Sequence, residues 1–269
     1  MSYQNLDLPR LKTHPYLEAD MVKAASGVDF DTPTLAYMSE GNRRVLRNSG
    51  YPALVNIEGA FPRDRRKLGT YVLDHNLVLI IPGLPEAVHQ RAALHEASHA
   101  LRAHLRDYRP HKNVATFPDL NFGEMAKEHF GWQIFEEGFA RYWETTTIGD
   151  QVLGLSGRKL REHHNNSIDK QLRAVDSLDP KKIEILERAA IAAYPIGHDL
   201  IAKLMANLEP VIGKQRAIEL IGTAEPANID EVVAAVSGIK HPSFIDLPWH
   251  NSLRYSMHVL IQPLWERIF

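Results

Sequence analysis

The 269-residue chain contains no cysteine. That absence excludes disulfides, thiolate nucleophiles and every cysteine-bearing zinc or iron–sulfur site. A metal in this protein therefore has to be held by histidine and carboxylate. An excess of charge is missing as well: 31 Lys and Arg stand against 33 Asp and Glu, a formal net charge of −2. So even a balance offers no overall field to nucleic acid or to an anionic membrane, and neither is expected as a partner. Long apolar runs are absent, and Leu77 to Pro82 falls far short of the ~20 residues of a membrane helix. The first twenty residues show no apolar segment behind a basic one, as a secretory leader requires. A Gly-rich phosphate loop and a Gly-x-Ser-x-Gly nucleophile elbow are both lacking. The expectation is a cytoplasmic globular protein. What the chain has in quantity is histidine, at 14 residues.

Hydrophobic residues make up 44% and charged residues 24%, which is ordinary for a globular fold and argues against disorder. Residues 1 to about 50 read as helical pieces broken at Pro15, Gly27, Asp31-Thr32-Pro33 and Ser49-Gly50. Strand character follows in Ala53–Ile57, Thr70–Leu73 and Asn76–Ile81, with Asp74-His75-Asn76 as a turn. The basic stretch Pro62–Lys67 reads as a solvated loop. Pro85 then opens a long helix that meets no breaker before Pro110 and carries an apolar stripe of Leu94, Ala97, Leu101 and Leu105. After a loop at 106–123 comes a second helix over about 124–147, with Phe130, Ile134, Phe139, Ala140 and Trp143. Residues 157–181 are polar and read as a mobile excursion, with His163 and His164 solvated. From Asp179-Pro180 a run of helices reaches the C-terminus, broken at Pro195, Pro210, Gly222, Pro226 and Pro242. Its last piece, Leu253–Phe269, reads as a helix that closes the core. The fold class is α+β. Residues 1–106 form a lobe with a small mixed sheet and residues 107–269 a helical lobe, with a cleft between them.

One pentapeptide carries chemistry. His95-Glu96-Ala97-Ser98-His99 is an HExxH motif on the predicted long helix. Positions i and i+4 share a helix face, so both imidazoles reach one metal ion, and Glu96 can face a water on its open side. The flanks Leu94, Ala97, Ser98, Ala100 and Leu101 are small or apolar, as suits a buried helix rather than a solvated one. A third histidine six residues past the second, with an intervening glycine, would complete one known arrangement. Here His104 is five past His99, and Arg102 stands in the glycine's place. The segment Ile134-Phe135-Glu136-Glu137-Gly138-Phe139-Ala140-Arg141-Tyr142 is the better source. The residues alone leave Glu136 and Glu137 both open as third ligand.

HEASH followed by EEGFARY resembles the gluzincin metallopeptidases, in which a second helix supplies a glutamate to zinc. Zinc aminopeptidases of that group have Asn-Glu-Gly-Phe-Ala there, and the glutamate before the glycine binds the metal. The resemblance assigns the ligand to Glu137 and leaves Glu136 in the place of the Asn, in a supporting or surface position. Gly138 and Ala140 would give room where the two helices pack. A Tyr-x-x-Gly segment in those enzymes supplies an oxyanion donor; Tyr194-Pro195-Ile196-Gly197 matches it. His198 is the alternative donor, since other gluzincins use a histidine.

The chain departs from the pattern in two places. The gap of 37 residues between His99 and Glu137 is about twice the aminopeptidase spacing, and no segment matches the one that holds a free substrate amine. The resemblance thus implies the metal site rather than aminopeptidase activity. It also implies a zincin-like fold, one Zn²⁺ per chain on His95, His99 and Glu137, Glu96 as general base, and a peptide or protein substrate. That substrate would be held along an edge strand at Leu77–Ile81. Two other readings are a zinc hydrolase acting on a non-peptide substrate and a catalytically silent, zinc-stabilised binding protein. An intact Glu96 weighs against the second.

Overall fold

A computed structural model describes residues 10–48, 68–107, 122–177 and 185–224. The expected strand at 53–57, the basic loop at 62–67 and the closing C-terminal helix lie outside them. The described elements begin with β1 (Thr13–His14), α1 (Leu17–Ser26), β2 (Thr34–Tyr37) and α2 (Glu40–Asn48). β3 (Gly69–Val72) and β4 (Leu77–Ile80) follow, then α3 (Glu86–Leu105) and α4 (Phe122–Thr147). α5 (Gly157–Asp176), α6 (Ile185–Ile212) and α7 (Lys214–Gly222) complete the series. The class is α+β and mostly helical, as composition and pattern suggest. The N-terminal 50 residues hold two strands, β1 and β2, where the sequence suggests only helix and turn. Among the described residues no helix is long and apolar enough to cross a membrane.

The sheet runs β1-β2-β4-β3, with β2 parallel to β4 and the outer pairs antiparallel. Every side chain of β4 is buried, and alternation divides them between two clusters. Val78 and Ile80 enter the main core, while Leu77 and Leu79 pack with Leu11, Met38 and Leu46 on the other face. β4 is therefore an interior strand, which corrects the expectation of an edge at Leu77–Ile81. Its short, unbroken aliphatic run is the signature of burial on both faces. Among the described residues the edge next to the helices is β3. The 3₁₀ turn Leu73–His75 and Asn76, at φ 44°, join the two strands where the turn is expected.

α3 passes through the protein's interior. From Ala92 to Arg102 every residue except His95 is buried, because alanine and serine fill the faces that other helices approach. α1 crosses it and is pinned by Tyr16, whose hydroxyl donates to the Ala93 carbonyl at 2.6 Å. α4 brings Ile134, Phe135, Phe139 and Trp143 to the same core. That core extends from Tyr16 to Ala224 across the boundary drawn at residue 106.

Two sequence expectations fail in the helical half. Pro195 and Pro210 break nothing; both lie inside α6. Each forfeits one backbone hydrogen bond, and burial of Ala193, Gly197, Ile201 and Leu204 on either side of Pro195 holds the helix together. The polar stretch 157–181 is for the most part the helix α5 rather than an excursion. His164, Ile168, Gln171 and Val175 form its inner stripe at helical spacing. His164 is buried, so it is not solvated. It stacks on Tyr142 and lies 2.8 Å, Nδ1 to Nε2, from His198.

Candidate metal centre

α3 and α4 cross so that His95, His99 and Glu137 face one another. His95 Nε2 lies 3.1 Å from Glu137 Oε2 and 3.2 Å from His99 Nε2. His99 Nε2 is 3.7 Å from the same Glu137 oxygen. Ligand atoms bonded to zinc at ~2.0–2.1 Å in a tetrahedron stand about 3.3 Å apart. The three separations straddle that value.

The far nitrogens of both rings point at carboxylates. His99 Nδ1 is 2.8 Å from Glu136 Oε1, and His95 Nδ1 is 3.4 Å from Glu144 Oε2. A carboxylate at Nδ1 takes that N–H and leaves Nε2 with a lone pair. Two imidazole lone pairs and a carboxylate oxygen then converge. All three are acceptors, so they repel unless a cation sits among them. Two nitrogens and one oxygen suit zinc, and a three-ligand set leaves a fourth position for water or substrate. The residues present fit the metal that the sequence motif implies.

In the metal-free chain a proton is that cation. Burial disfavours charge on His99, but the hydrogen bonds it donates to Glu136 and Glu137 outweigh it and push the imidazole up to about 10. His95 also shifts upward against burial, through Glu137 and Glu144. Burial pulls Glu137 the other way, yet hydrogen bonds to both histidines hold its carboxyl well below the usual range. Glu144 is likewise held low against burial, chiefly by the charge of Arg141 and then by His95.

The supporting carboxylates give a first prediction. Glu136 is braced by Arg102, which donates to it and to the carbonyls of Gly222 and Ala224. Glu144 is braced by Arg91 and Arg141. Glu144→Gln and Glu136→Gln should each weaken zinc binding by roughly 10–100-fold without removing a ligand. Competition with a chromophoric chelator measures this, and unchanged affinity in both would deny them a part in orienting the rings.

Glu96 is buried beside the metal-binding face and makes no hydrogen bond or ion pair among the described residues. Gly69 of β3 makes room for it: a Cβ there would stand 3.0 Å from Glu96 Cγ and 2.6 Å from Ile80 Cδ1. Tyr194 lies against His95 with ring centroids 5.7 Å apart. Burial first, then the charges of Glu137 and Glu96, raise its pKa well above the ordinary phenol value, so its hydroxyl stays a donor. Tyr194 sits within α6. His198, one turn on, is committed elsewhere: its Nε2 faces His164, and its Nδ1 is 3.3 Å from Gln171 Nε2. It does not line the cavity at the centre, whereas Tyr194 does.

That cavity encloses about 670 Å³ between β3, α3, α4, α5 and α6. His95, Glu96, His99 and Glu137 open into it, with Gly69 and Tyr71 along one wall and Ile191 and Pro195 along another. Compared with protein-family models, curated proteins and solved structures, the chain finds no match.

Sequence reasoning missed Glu144, Arg141 and Arg91. A usable signal exists: Glu137, Arg141 and Glu144 are spaced i, i+4, i+7 on α4, and Arg91 precedes His95 by one turn on α3. One face of each helix carries both the ligand and its support.

Proposed function

We propose that this protein is a zinc-dependent peptidase of gluzincin type, with a zincin-like catalytic unit. One observation carries the reading: His95, His99 and Glu137 converge as three acceptors at tetrahedral spacing, in a cavity that also holds Glu96 without a partner among the described residues. A structural zinc site needs neither an adjacent cavity nor a free carboxylate.

A bound zinc ion would polarise the substrate carbonyl and lower the pKa of the attacking water. The chain's own residues do the rest. Glu96 accepts the proton of the attacking water and passes it to the leaving amine. Tyr194, kept protonated by burial and by neighbouring carboxylates, donates a hydrogen bond to the oxyanion that develops on the carbonyl. β3 borders the cavity as the last strand of the described sheet, so an extended peptide laid along it would run beside the metal centre. Gly69 lets that strand pass directly over Glu96.

Zinc per chain, measured by native mass spectrometry, tests the centre. The wild type should carry about one zinc and Glu137→Ala far less, since three ligands fall to two. Zinc must displace the proton that the histidines share. Affinity should therefore rise with pH throughout the range below about 10, where His99 still holds its proton. Proton release on binding is detectable by calorimetry in buffers of different ionisation enthalpy. Wild type that takes up no zinc would overturn the reading. Zinc-loaded wild type that cleaves nothing in a broad peptide library would overturn the peptidase half of it.

A further inference from the structure

At the His95 end of the cavity two guanidiniums share one carboxylate. Glu144, with 1% of its side chain exposed, accepts from Arg91 Nε at 2.9 Å and from Arg141 Nη1 at 2.5 Å. At the His99 end Arg102 pairs with Glu136 and spends its other donors on backbone carbonyls, and Arg106 beyond it is engaged as well. Glu137 and Glu96 offer two negative charges at the centre, which a divalent ion offsets. Among the described residues, the Arg91–Arg141 end therefore carries two guanidiniums on one carboxylate.

These donors are not used up. Arg91 and Arg141 both line the cavity, with 48% and 21% of their side chains exposed. The Nε of Arg141 is shielded from solvent and has no hydrogen-bond partner among the described residues, so the donors that a ligand in the cavity can reach are the terminal nitrogens. A guanidinium held by a buried carboxylate on one side offers its other N–H groups in a fixed fork, the geometry that suits a second carboxylate. Position along the helix sets the distance. Arg141 follows Glu137 by one turn, about 6 Å of rise, while an extended peptide advances ~3.3 Å per residue. Val88, Ile191 and Pro195 add apolar lining to the same cavity.

We propose that Arg141, aided by Arg91, is a specificity-determining residue that binds a peptide carboxylate one or two residues from the bond that is cut. The inference rests on the peptidase reading. The shared chemistry is a carboxylate, and it has two sources, the free C-terminus of the peptide or an acidic side chain.

The test uses zinc-loaded Glu96→Gln protein, which binds without turning over, and isothermal titration. Three ligands are compared: an N-blocked dipeptide with a free C-terminus, its C-terminal amide, and the same amide with aspartate in the second position. The amide with no carboxylate should bind at least about tenfold more weakly than one of the others, and the gap should narrow with added salt. Adding Arg141→Gln should bring all three within about threefold. Whichever carboxylate is preferred identifies the source. If Arg141→Gln does not fold, Arg91→Gln and the salt series make the same comparison. Equal binding of all three ligands with Arg141 intact, or no binding of any ligand to a zinc-loaded chain, overturns the proposal. Zinc content is read on the same samples. A chain without zinc overturns the metal reading instead, and the three ligands are then titrated against metal-free wild type. There, a carboxylate preference that Arg141→Gln abolishes supports the anion site, and its absence overturns it.

Discussion

Glu96→Gln should keep about one zinc per chain and lower peptide hydrolysis by roughly 10²–10⁴-fold, the span that a positioned general base contributes. The substitution replaces one oxygen by an amide nitrogen of nearly the same size, so the packing of Gly69 over the side chain stays intact. No ligand is lost, because Glu96 faces the cavity while Glu137 meets both imidazoles. No ion pair among the described residues is broken either, so thermal unfolding should be little altered. The loss is confined to proton transfer: an amide cannot take a proton from water at neutral pH. Zinc retained together with wild-type turnover would deny Glu96 the role of base. Zinc lost together with activity would instead make Glu96 part of the metal's binding, and the two measurements separate these cases.

Much of this site is legible in the sequence, and the reasons are local. HExxH needs only the period of one helix, and α3 forms where Pro85, the apolar stripe and the absence of breakers place it. β3, the turn at Asn76 and β4 follow from aliphatic runs around turn residues. What stays hidden depends on partners distant in sequence. The edge at Leu77–Ile81 is implied by the resemblance alone, and five aliphatic residues do not reveal how many strands flank them; β2 on one side and β3 on the other make β4 interior. α5 reads as an excursion because two members of its inner stripe are His164 and Gln171, polar residues that count as core only once His198 and Thr146 meet them. Pro195 reads as a break because its forfeited hydrogen bond is visible in the sequence, whereas the burial that outweighs it is not. Glu144 looks like any helical glutamate until Arg91 and His95 approach it from α3.

The metal centre also depends on a crossing of two helices that touch backbone to backbone, α4 at Gly138 and α6 at Gly197. A Cβ on Gly197 would fall well inside 3.0 Å of the Ile134 carbonyl oxygen, and one on Gly138 would also fall inside 3.0 Å of the Gly197 carbonyl carbon. These neighbours are main-chain atoms that no rotamer change can move. Gly197→Ala must therefore push the helices apart, at a cost of about 3 kcal/mol, the upper part of the range for overpacking. A melting temperature lower by roughly 6–12 °C follows for a chain of this size. The change is expected to reach the metal. Glu137 is adjacent to Gly138 on α4, and Tyr194 is three residues before Gly197 on α6, so widening the crossing separates each from His95. Zinc affinity should fall with stability in Gly197→Ala although no ligand is altered. Gly41 supplies the contrast: it lies in α2, and a methyl group added there would meet nothing within 4 Å. Gly41→Ala should leave zinc binding unchanged and alter stability by less than ~1 kcal/mol, in the favourable direction. Unfolding and chelator competition on both variants decide the point. If Gly197→Ala matched the wild type in both, the glycine crossing would not be what holds Glu137 against the two histidines.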